Sequence, residues 1–385
     1  MGKPLRIAFL GSRGIPARYS GFETFYEQLA VRLVKRGHDV TVYNRSHFLP
    51  DVRGEYQGVR IVSLPSIQTK HLDTISHCFL STLHALVKRY DIAYYCIVGN
   101  SPLVWMPRVV GTKVLLNVDG EDWAREKWSG FARWYQRWCE KVATRTATRI
   151  ISDARVIQRR YHEVYDTETV FVPYGANLLR QETTVALAQW GLIPRKYILY
   201  VGRFVPENAI DLLIRAFKGV STDMNLVLIG DAPHSEDYKK ELFTAAASDP
   251  RVVFTGYAFE QVYAQLSSHA YLYVQPSAIN GTRPALLDQL GFGNCALVRD
   301  AQVNIEVIGN CGARFSNEYP EVCLRDRLQE LIDDPVKVDQ FRQMAATRIT
   351  DYYNWEWITD FYENLFTRMI AGRPVISYDE FLQNK

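Results

Sequence analysis

Short apolar runs alternate with amphipathic stretches along most of the chain. Residues 5–10 are an apolar run typical of a buried parallel strand, and after a polar turn the apolar side chains from Phe22 to Leu33 recur at helical spacing. The same alternation predicts further strands at 40–44, 59–62, 92–96, 113–117, 149–151 and 169–172. Strands separated by helices in this way indicate a doubly wound parallel sheet.

A second series of the same kind begins after a segment rich in turn residues. The stretch 172–184, VPYGANLLRQETT, has the composition of a linker, and KYILYVG, NLVLIGD, RVVFTG, AYLYVQP and NCALV then predict five more strands. Residues 355–368 predict a last amphipathic helix, followed by a partly loose tail. We therefore expect an α/β chain with two Rossmann-like domains, at 1–178 and 179–354, that face a central cleft. The segment 355–385 is expected to return to the N-terminal domain.

Composition narrows the functional classes. A length of 385 residues suggests two domains, and 47% hydrophobic with 23% charged residues is typical of a globular protein. The chain shows neither a signal peptide nor an apolar run near the roughly 20 residues that span a bilayer. Its six cysteines form no C-x-x-C pair, which indicates buried thiols in a reducing cytoplasm, and the net charge of +3 is too small to indicate nucleic acid.

The stretch GSRGIPARYSGFETF, residues 11–25, joins the first strand to the first helix. This junction lies at the carboxyl edge of a parallel sheet, where a helix N-terminus offers N–H groups to an anion such as phosphate. The glycines Gly11, Gly14 and Gly21 do not have the G-x-G-x-x-G spacing, and the second strand ends in Asn44 and Arg45 rather than in an acidic residue. A dinucleotide site and a P-loop are therefore disfavoured.

Glu23 has two interpretations. Ser20 and Glu23 have the spacing of a capping box, in which both side chains bond the first N–H groups of the helix. Glu23 could equally contact a substrate, and the two roles are compatible.

Four stretches together resemble a known enzyme family. They are GSRGIPARYSGFETF, NVDGEDWAREKWSGFARWY, YVGRFVPENAIDLLIRAF and NGTRPALLDQLGFGN, which extend over most of the chain. In this order the sequence resembles a retaining family 4 glycosyltransferase of the GT-B architecture, in its bacterial rhamnosyltransferase-like branch. The resemblance implies transfer of a hexose from a nucleotide diphosphate to a hydroxyl, with retention and without metal or another cofactor. It also implies front-face displacement, in which no protein nucleophile takes part.

Arg203 and Asn208 are the predicted leaving-group residues. Arg203 follows a strand, where a guanidinium can clamp a diphosphate and stabilise the leaving group, although a surface ion pair is the alternative. The resemblance places a lysine five residues after this arginine, but this chain has Asn208 there. Its amide could still donate a hydrogen bond.

The stretch SAINGTRPALLDQLGFGN, residues 277–294, predicts a strand-exit loop that enters a helix. Thr282 is expected to cap the helix, Pro284 to stand in its first turn, and the nearby N–H groups to bind phosphate. The resemblance implies two glutamates here, for which the chain has Asn280 and Asp288. Asp288 is predicted to bind the ribose, or else to face solvent on the helix. The predicted donor-binding residues, besides Arg203 and Asn208, are Gly14, Asn280, Gly281, Thr282, Arg283, Leu287 and Asp288.

The acceptor side is predicted in the first domain. Asp119 follows a strand and is a candidate for accepting the proton of the acceptor hydroxyl or binding a sugar hydroxyl, although the following glycine also fits a simple turn. The other predicted acceptor-side residues are Ser20, Gly21, Phe22, Glu23 and Trp123.

Basic and aromatic residues interleave after residue 130. The membrane-contact residues predicted here are Arg133, Trp134, Arg137, Trp138 and Lys141. On one helix they would suit an anionic headgroup region, where a lipid-linked saccharide acceptor would lie. An ordinary solvated face, with its tryptophans packed inward, is the alternative.

The sequence thus predicts a cytoplasmic glycosyltransferase at the inner face of the membrane that acts in cell-surface polysaccharide assembly. Its expected substrates are a nucleotide sugar, for which the short Asp288 side chain is compatible with dTDP-rhamnose, and a glycan or lipid-linked saccharide. A non-hydrolysing sugar-nucleotide epimerase and a catalytically weak nucleotide-sugar-binding protein are the alternatives.

Overall fold

The chain forms two compact units. The computed structural model describes residues 3–18, 21–69, 72–118, 130–232, 235–279 and 281–385, without the side chain of Phe131. Unit 1 comprises residues 1–174 and 355–385, and unit 2 comprises residues 175–354. The change of unit therefore falls between Tyr174 and Gly175, four residues before the boundary predicted at residue 178.

Unit 1 is built on an eight-stranded sheet in the order β3-β4-β2-β1-β5-β6-β7-β8. Its strands are parallel except for β3, which pairs antiparallel with β4 at the edge. The strands are β1 (Arg6–Leu10), β2 (Asp39–Arg45), β3 (Gly54–Tyr56), β4 (Val59–Leu64), β5 (Ile92–Cys96), β6 (Lys113–Val118), β7 (Arg149–Ser152) and β8 (Val170–Phe171).

The central strands of unit 1 are buried on both faces, which explains their continuous apolar runs. Ile7 of β1 stands opposite Val40 of β2 and Ile92 of β5, and none of the three has more than 1% of its surface exposed. The helices of this part are α1 (Gly21–Lys35), α2 (Asp73–Lys88), α3 (Met106–Val109), α4 (Gly130–Thr146) and α5 (Arg155–Tyr165), with a 3₁₀ helix at Val98–Leu103.

Unit 2 has a fully parallel six-stranded sheet in the order β11-β10-β9-β12-β13-β14. In chain order within the unit this is 3-2-1-4-5-6, the order of a Rossmann sheet. The strands are β9 (Tyr197–Val201), β10 (Asn225–Ile229), β11 (Val252–Gly256), β12 (Leu272–Gln275), β13 (Ala296–Arg299) and β14 (Gly312–Phe315).

The helices of unit 2 follow its strands and cover the sheet. They are α6 (Ile210–Lys218), α7 (Glu236–Ala246), α8 (Glu260–Ser268), α9 (Pro284–Gly291), α10 (Gln302–Ile308), α11 (Pro320–Asp333) and α12 (Pro335–Tyr352). Shorter 3₁₀ helices lie at Val185–Trp190 and Pro206–Asn208. The apolar sides of α6 and α11 enter one buried cluster with the strands, in which Leu213, Phe217 and Leu324 are fully buried. A doubly wound sheet was predicted for both units, and both have one.

The chain ends in α13 (Trp355–Ile370) and α14 (Tyr378–Gln383), which belong to unit 1. The prediction of a partly loose tail is wrong. Ser377 caps α14 by accepting from the N–H of Glu380, and the rings of Tyr378 and Phe381 lie 5.3 and 5.4 Å from that of Phe361. Burial of these aromatic side chains holds the tail against α13.

The described helices include none that is both long enough and apolar enough to cross a membrane.

Candidate functional site

The candidate ligand site of unit 2 lies where its strand order reverses. In an open α/β sheet, ligands bind outside the carboxyl ends of the strands at this switch point. In unit 2 the reversal falls between β9 and β12, which are paired through Leu272 and Ile198. Arg203 follows the end of β9, and the segment that leads to α9 follows the end of β12. The predicted donor residues of this unit therefore come from two adjacent strand exits.

Arg203 presents an exposed side chain at this edge. No described residue forms an ion pair with its guanidinium, so the surface ion pair considered as an alternative is absent from this part of the chain. Its backbone carbonyl accepts hydrogen bonds from the N–H of Val205, at 3.0 Å, and from Asn208 Nδ2, at 2.7 Å. The backbone is thus fixed while the charged group faces water.

Asn208 is buried and joins the two loops of the site. Besides donating to the Arg203 carbonyl, it accepts a hydrogen bond at Oδ1 from Arg283 Nη1, at 3.1 Å. The predicted role of Asn208 was a hydrogen bond to the leaving group. In the structure both ends of its amide contact protein groups, and its position at the end of a 3₁₀ turn directs it towards Arg283.

Ser277 holds the other terminal nitrogen of Arg283. Its Oγ accepts from Arg283 Nη2, at 2.8 Å, and donates to the carbonyl of Glu207, at 2.7 Å. Asn304 Nδ2 donates to the Ser277 carbonyl, at 2.9 Å. Ser277 is buried, and sequence reasoning missed it, although it opens the stretch that predicted the donor loop.

Arg203 and Arg283 act on the same buried hydroxyl. Burial raises the pKa of Tyr200 above its ordinary value, and the positive charges of Arg283 and Arg203 both oppose that shift. The two loops also meet at Asn208, which bonds the Arg203 carbonyl and the Arg283 guanidinium.

Asp288 lies one turn into α9 and is partly buried rather than turned to solvent. Burial raises the pKa of its carboxyl to about 7, and the neighbouring Tyr263 hydroxyl acts in the opposite direction. Around neutral pH this group is therefore close to half ionised. Since burial of a carboxylate is unfavourable, a residue of this kind is a candidate for binding a ligand.

The start of α9 differs in detail from the prediction. The residue at the N-cap position is Arg283, without a side-chain capping bond, so Thr282 is not the cap that was expected. Pro284 stands at the first helical position, as predicted. Gly281 has a φ of +137°, which only glycine adopts readily, and Leu287 is fully buried, so its side chain is part of the core. Asn280 lies outside the described residues.

The glycine loop after β1 lies at the corresponding reversal in unit 1, between β1 and β5. Gly14 has a φ of +116°, and a Cβ atom there would lie 2.2 Å from Asn44 Oδ1 and 2.8 Å from Asn44 Cα. Asn44 also accepts from the N–H of Ile15, at 3.0 Å, and donates to its carbonyl, at 2.7 Å. Glycine is thus required at position 14 by Asn44, so loss of activity in Gly14→Val would not by itself identify a ligand contact.

The side chain of Arg45 also supports the glycine loop. Its guanidinium bonds Asp73 at 2.6 Å, Thr74 Oγ1 at 3.1 Å and the Gly11 carbonyl at 3.4 Å. Burial, aided by the charge of Arg45, lowers the pKa of His77 to about 4, so His77 is neutral and donates from Nε2 to the Asn44 carbonyl. The residues that end β2 therefore support the loop, a role that the sequence did not reveal.

The structure describes only some of the predicted acceptor-side residues. Gly21 begins α1, and the ring of Phe22 lies 6.4 Å from that of Tyr174. Glu23 is buried and accepts from the N–H of Arg13, at 3.2 Å, so it links the helix to the glycine loop. Three predicted residues lie outside the described residues, namely Ser20, Asp119 and Trp123.

The basic and aromatic face of α4 is exposed. Trp134 and Trp138 have 60% and 42% of their surface accessible and stack at 6.4 Å, so they do not pack inward. Exposed basic side chains occur on the same face, at Arg133, Arg137, Lys141 and Arg145. Cys139 and Ala143 are fully buried on the opposite face.

Within the described parts of the chain, no group of three or more His, Cys, Asp or Glu side chains is placed to hold a metal ion. The six cysteines are free thiols, and all but Cys323 are buried.

Similarity to known structures settles the fold. Over 95% of this chain and 99% of its own, the sucrose-phosphate synthase from Thermosynechococcus elongatus superimposes with a TM-score of 0.82 at 18% identity. HepE from Anabaena, in complex with UDP, has a TM-score of 0.76 at 14% identity over 94% of this chain and 100% of its own. The chain has the GT-B glycosyltransferase fold.

Sequence comparisons match this GT-B chain in segments. Residues 195–334 match the family described as glycosyl transferases group 1, and residues 96–177 match a domain of unknown function, DUF1972. The alpha-D-kanosaminyltransferase of Streptomyces kanamyceticus is 25% identical over 162 residues, which are 41% of this chain and 42% of that enzyme. The chain spans about half the length of the curated relatives it matches. The group 1 match contains Arg203, Arg283 and Asp288.

Proposed function

We propose that this protein is a glycosyltransferase whose nucleotide-sugar donor binds at the carboxyl ends of β9 and β12. The observation that carries the proposal is the convergence of Arg203, the start of α9 and Asp288 at the switch point of the unit 2 sheet. A guanidinium provides charge-assisted bonds to a diphosphate, and a helix start favours anions. Asp288 would accept hydrogen bonds from the ribose.

The proposed reaction is transfer to a hydroxyl of a glycan or lipid-linked saccharide. Arg203 would stabilise the charge that develops on the departing nucleotide diphosphate, a role that a metal ion plays elsewhere. We propose metal-independent transfer of a hexose with retention, and dTDP-rhamnose as the first donor to test. The family match over 195–334 and the UDP complex of HepE support a nucleotide-diphosphate donor in general.

The membrane proposal rests on α4. Its two exposed tryptophans lie beside a row of exposed basic residues, which suits the headgroup region of an anionic bilayer. An acceptor carried by a lipid would then be reached from the membrane surface on the cytoplasmic side.

The first experiment is calorimetric titration with UDP, dTDP, GDP and ADP. Arg203→Ala should weaken binding of the preferred diphosphate by ~1.5–3 kcal/mol, because a charge-assisted hydrogen bond is lost. Arg327→Ala is the matched control, since Arg327 is an exposed arginine of α11 that pairs with Glu330.

Unchanged affinity in Arg203→Ala would remove Arg203 from the site, and failure of the parent protein to bind any of the four would contradict a nucleotide-diphosphate site. Incubation of the parent with dTDP-rhamnose or UDP-glucose and saccharide acceptors then separates three activities. A transferase releases the diphosphate as an acceptor is glycosylated, a non-hydrolysing epimerase converts the nucleotide sugar into its epimer without net release of diphosphate, and a binding protein does not turn over.

A further inference from the structure

Arg283 is held rigidly by two neutral side chains. Its Nη1 donates to Asn208 Oδ1 at 3.1 Å and its Nη2 to Ser277 Oγ at 2.8 Å. Asn208 and Ser277 are themselves buried and fixed, the first by the Arg203 carbonyl and the second by the Glu207 carbonyl. Two contacts on one guanidinium set the plane of the group as well as its position.

Both of these contacts are to uncharged oxygen atoms. An amide oxygen and a hydroxyl oxygen carry no formal charge, so the guanidinium keeps its positive charge in both hydrogen bonds. The sequence placed Arg283 at the site only through the backbone N–H groups at the start of α9. Its side chain instead bonds Asn208, which in turn bonds the carbonyl of Arg203.

A bound dianion is attracted by guanidinium groups that come from two adjacent loops. A diphosphate carries several negative charges and accepts bonds from the planar fork of a guanidinium. Arg203 comes from the exit of β9 and Arg283 from the exit of the adjacent strand β12. Each of the two strand exits that flank the switch point therefore contributes one arginine.

We propose that the guanidinium of Arg283 is the second cation of the diphosphate site beside Arg203, and that Asn208 and Ser277 are its positioning residues. This inference rests on the proposed function, because it assumes that the ligand of the switch point is a nucleotide diphosphate. It also explains a neutral residue at position 208. A positive charge there would face Arg283 at hydrogen-bond distance, whereas an amide oxygen anchors it.

The position of the charge is tested by moving it. Arg283→Gln keeps a polar side chain but removes the charge, and it should weaken UDP or dTDP binding at least about tenfold, as loss of a charge-assisted bond does. Asn208→Lys alone should also weaken binding, because the ammonium repels Arg283. The double variant Asn208→Lys/Arg283→Gln restores one cation at the same place and should bind at least about fivefold tighter than Arg283→Gln.

Inorganic pyrophosphate separates the phosphate contacts from the rest of the nucleotide. Competition by pyrophosphate should weaken in Arg283→Gln, and the salt dependence of its binding should become less steep, because one cation is lost. Asp288→Asn, on the same helix, is the matched control. It should weaken nucleotide binding and leave pyrophosphate competition unchanged, and thermal unfolding of each variant verifies the fold.

Two results would overturn the inference: nucleotide affinity of Arg283→Gln within about twofold of the parent, or a double variant that binds no tighter than Arg283→Gln. If Arg203→Ala weakens binding while Arg283→Gln does not, only the role of Arg283 fails. If the parent binds neither nucleotide diphosphates nor pyrophosphate, the proposed function fails together with it.

Discussion

Asp288 is the residue of unit 2 whose burial most directly suggests a ligand. Its carboxyl is partly buried on α9, and burial raises its pKa to about 7. A group whose pKa rises on folding holds a proton in the folded chain that the unfolded chain has already released. The stability from this group is therefore present below about pH 4 and is lost as the pH rises towards and beyond 7.

We accordingly expect Asp288→Asn to stabilise the ligand-free protein. The gain in the free energy of unfolding should be about 1–2 kcal/mol at pH 8 and clearly smaller at pH 5, because the cost of the buried carboxylate grows between these values. Urea unfolding of parent and variant at both pH values measures it, and an equal difference at pH 5 and pH 8 would show that the carboxyl titrates normally. The same variant should bind nucleotide more weakly, because we propose that Asp288 contributes to ligand binding and not to stability.

Residues close in sequence to a strand exit could be predicted, whereas their partners could not. Arg203 followed from the predicted end of β9, since that strand can be derived from a local apolar pattern, whereas Asp288 followed from the family resemblance. The partners of Arg283 lie 75 and 6 residues away along the chain, and the support of the glycine loop by Asn44 lies 29 residues from Ile15. Hydrogen bonds between distant loops depend on the register of the whole sheet, which one sequence does not specify.

At the scale of elements, both sheets could be predicted from continuous apolar runs. Central parallel strands are buried on both faces, so most of their positions are apolar and the signal is strong. Sequence reasoning missed two strands, β3 and β14, which both lie at the edge of a sheet. β3 has three residues, the first two exposed, and β14 has four, of which only the last is fully buried. Neither period two nor continuous apolarity is detectable over so short a segment.

The helix α4 is the element on which membrane contact can be tested. The triple variant Arg133→Gln/Arg137→Gln/Lys141→Gln should bind anionic vesicles more weakly, since each basic residue near the surface contributes about 1 kcal/mol, and binding of the parent should fall as salt rises. Co-sedimentation with phosphatidylglycerol-containing vesicles measures both effects.

The control removes three exposed positive charges from unit 2, as Lys218→Gln/Lys240→Gln/Arg327→Gln, and so changes net charge equally. If the α4 variant and this control sediment alike, α4 is an ordinary solvated face. Its exposed tryptophans would then require another explanation, because side chains of this size are seldom exposed together.

At the scale of the whole molecule, unit 2 is an insertion between two parts of unit 1. The chain leaves unit 1 after Tyr174 and returns at Trp355, so α13 completes a core that begins 330 residues earlier with Phe25. The ring of Phe25 lies 5.9 Å from that of Trp355 and 5.7 Å from that of Tyr362. The surface side of α13 is joined to α1 by Arg36, which bonds Glu356, Asp360 and Glu363 at 2.5–2.9 Å.

Because α13 and α14 are part of this core, a single substitution there should destabilise unit 1. Phe361 is fully buried and packs against Tyr378 and Phe381, so Phe361→Ala should lower the free energy of unfolding by about 3–5 kcal/mol through lost burial and the cavity left behind. The matched control is Phe243→Ala on α7, where the ring is 49% exposed and the loss should be well below half as large. Urea unfolding followed by tryptophan fluorescence compares the two variants. Equal losses, or a negligible loss in Phe361→Ala, would mean that the last 31 residues of the chain are attached to unit 1 without stabilising it.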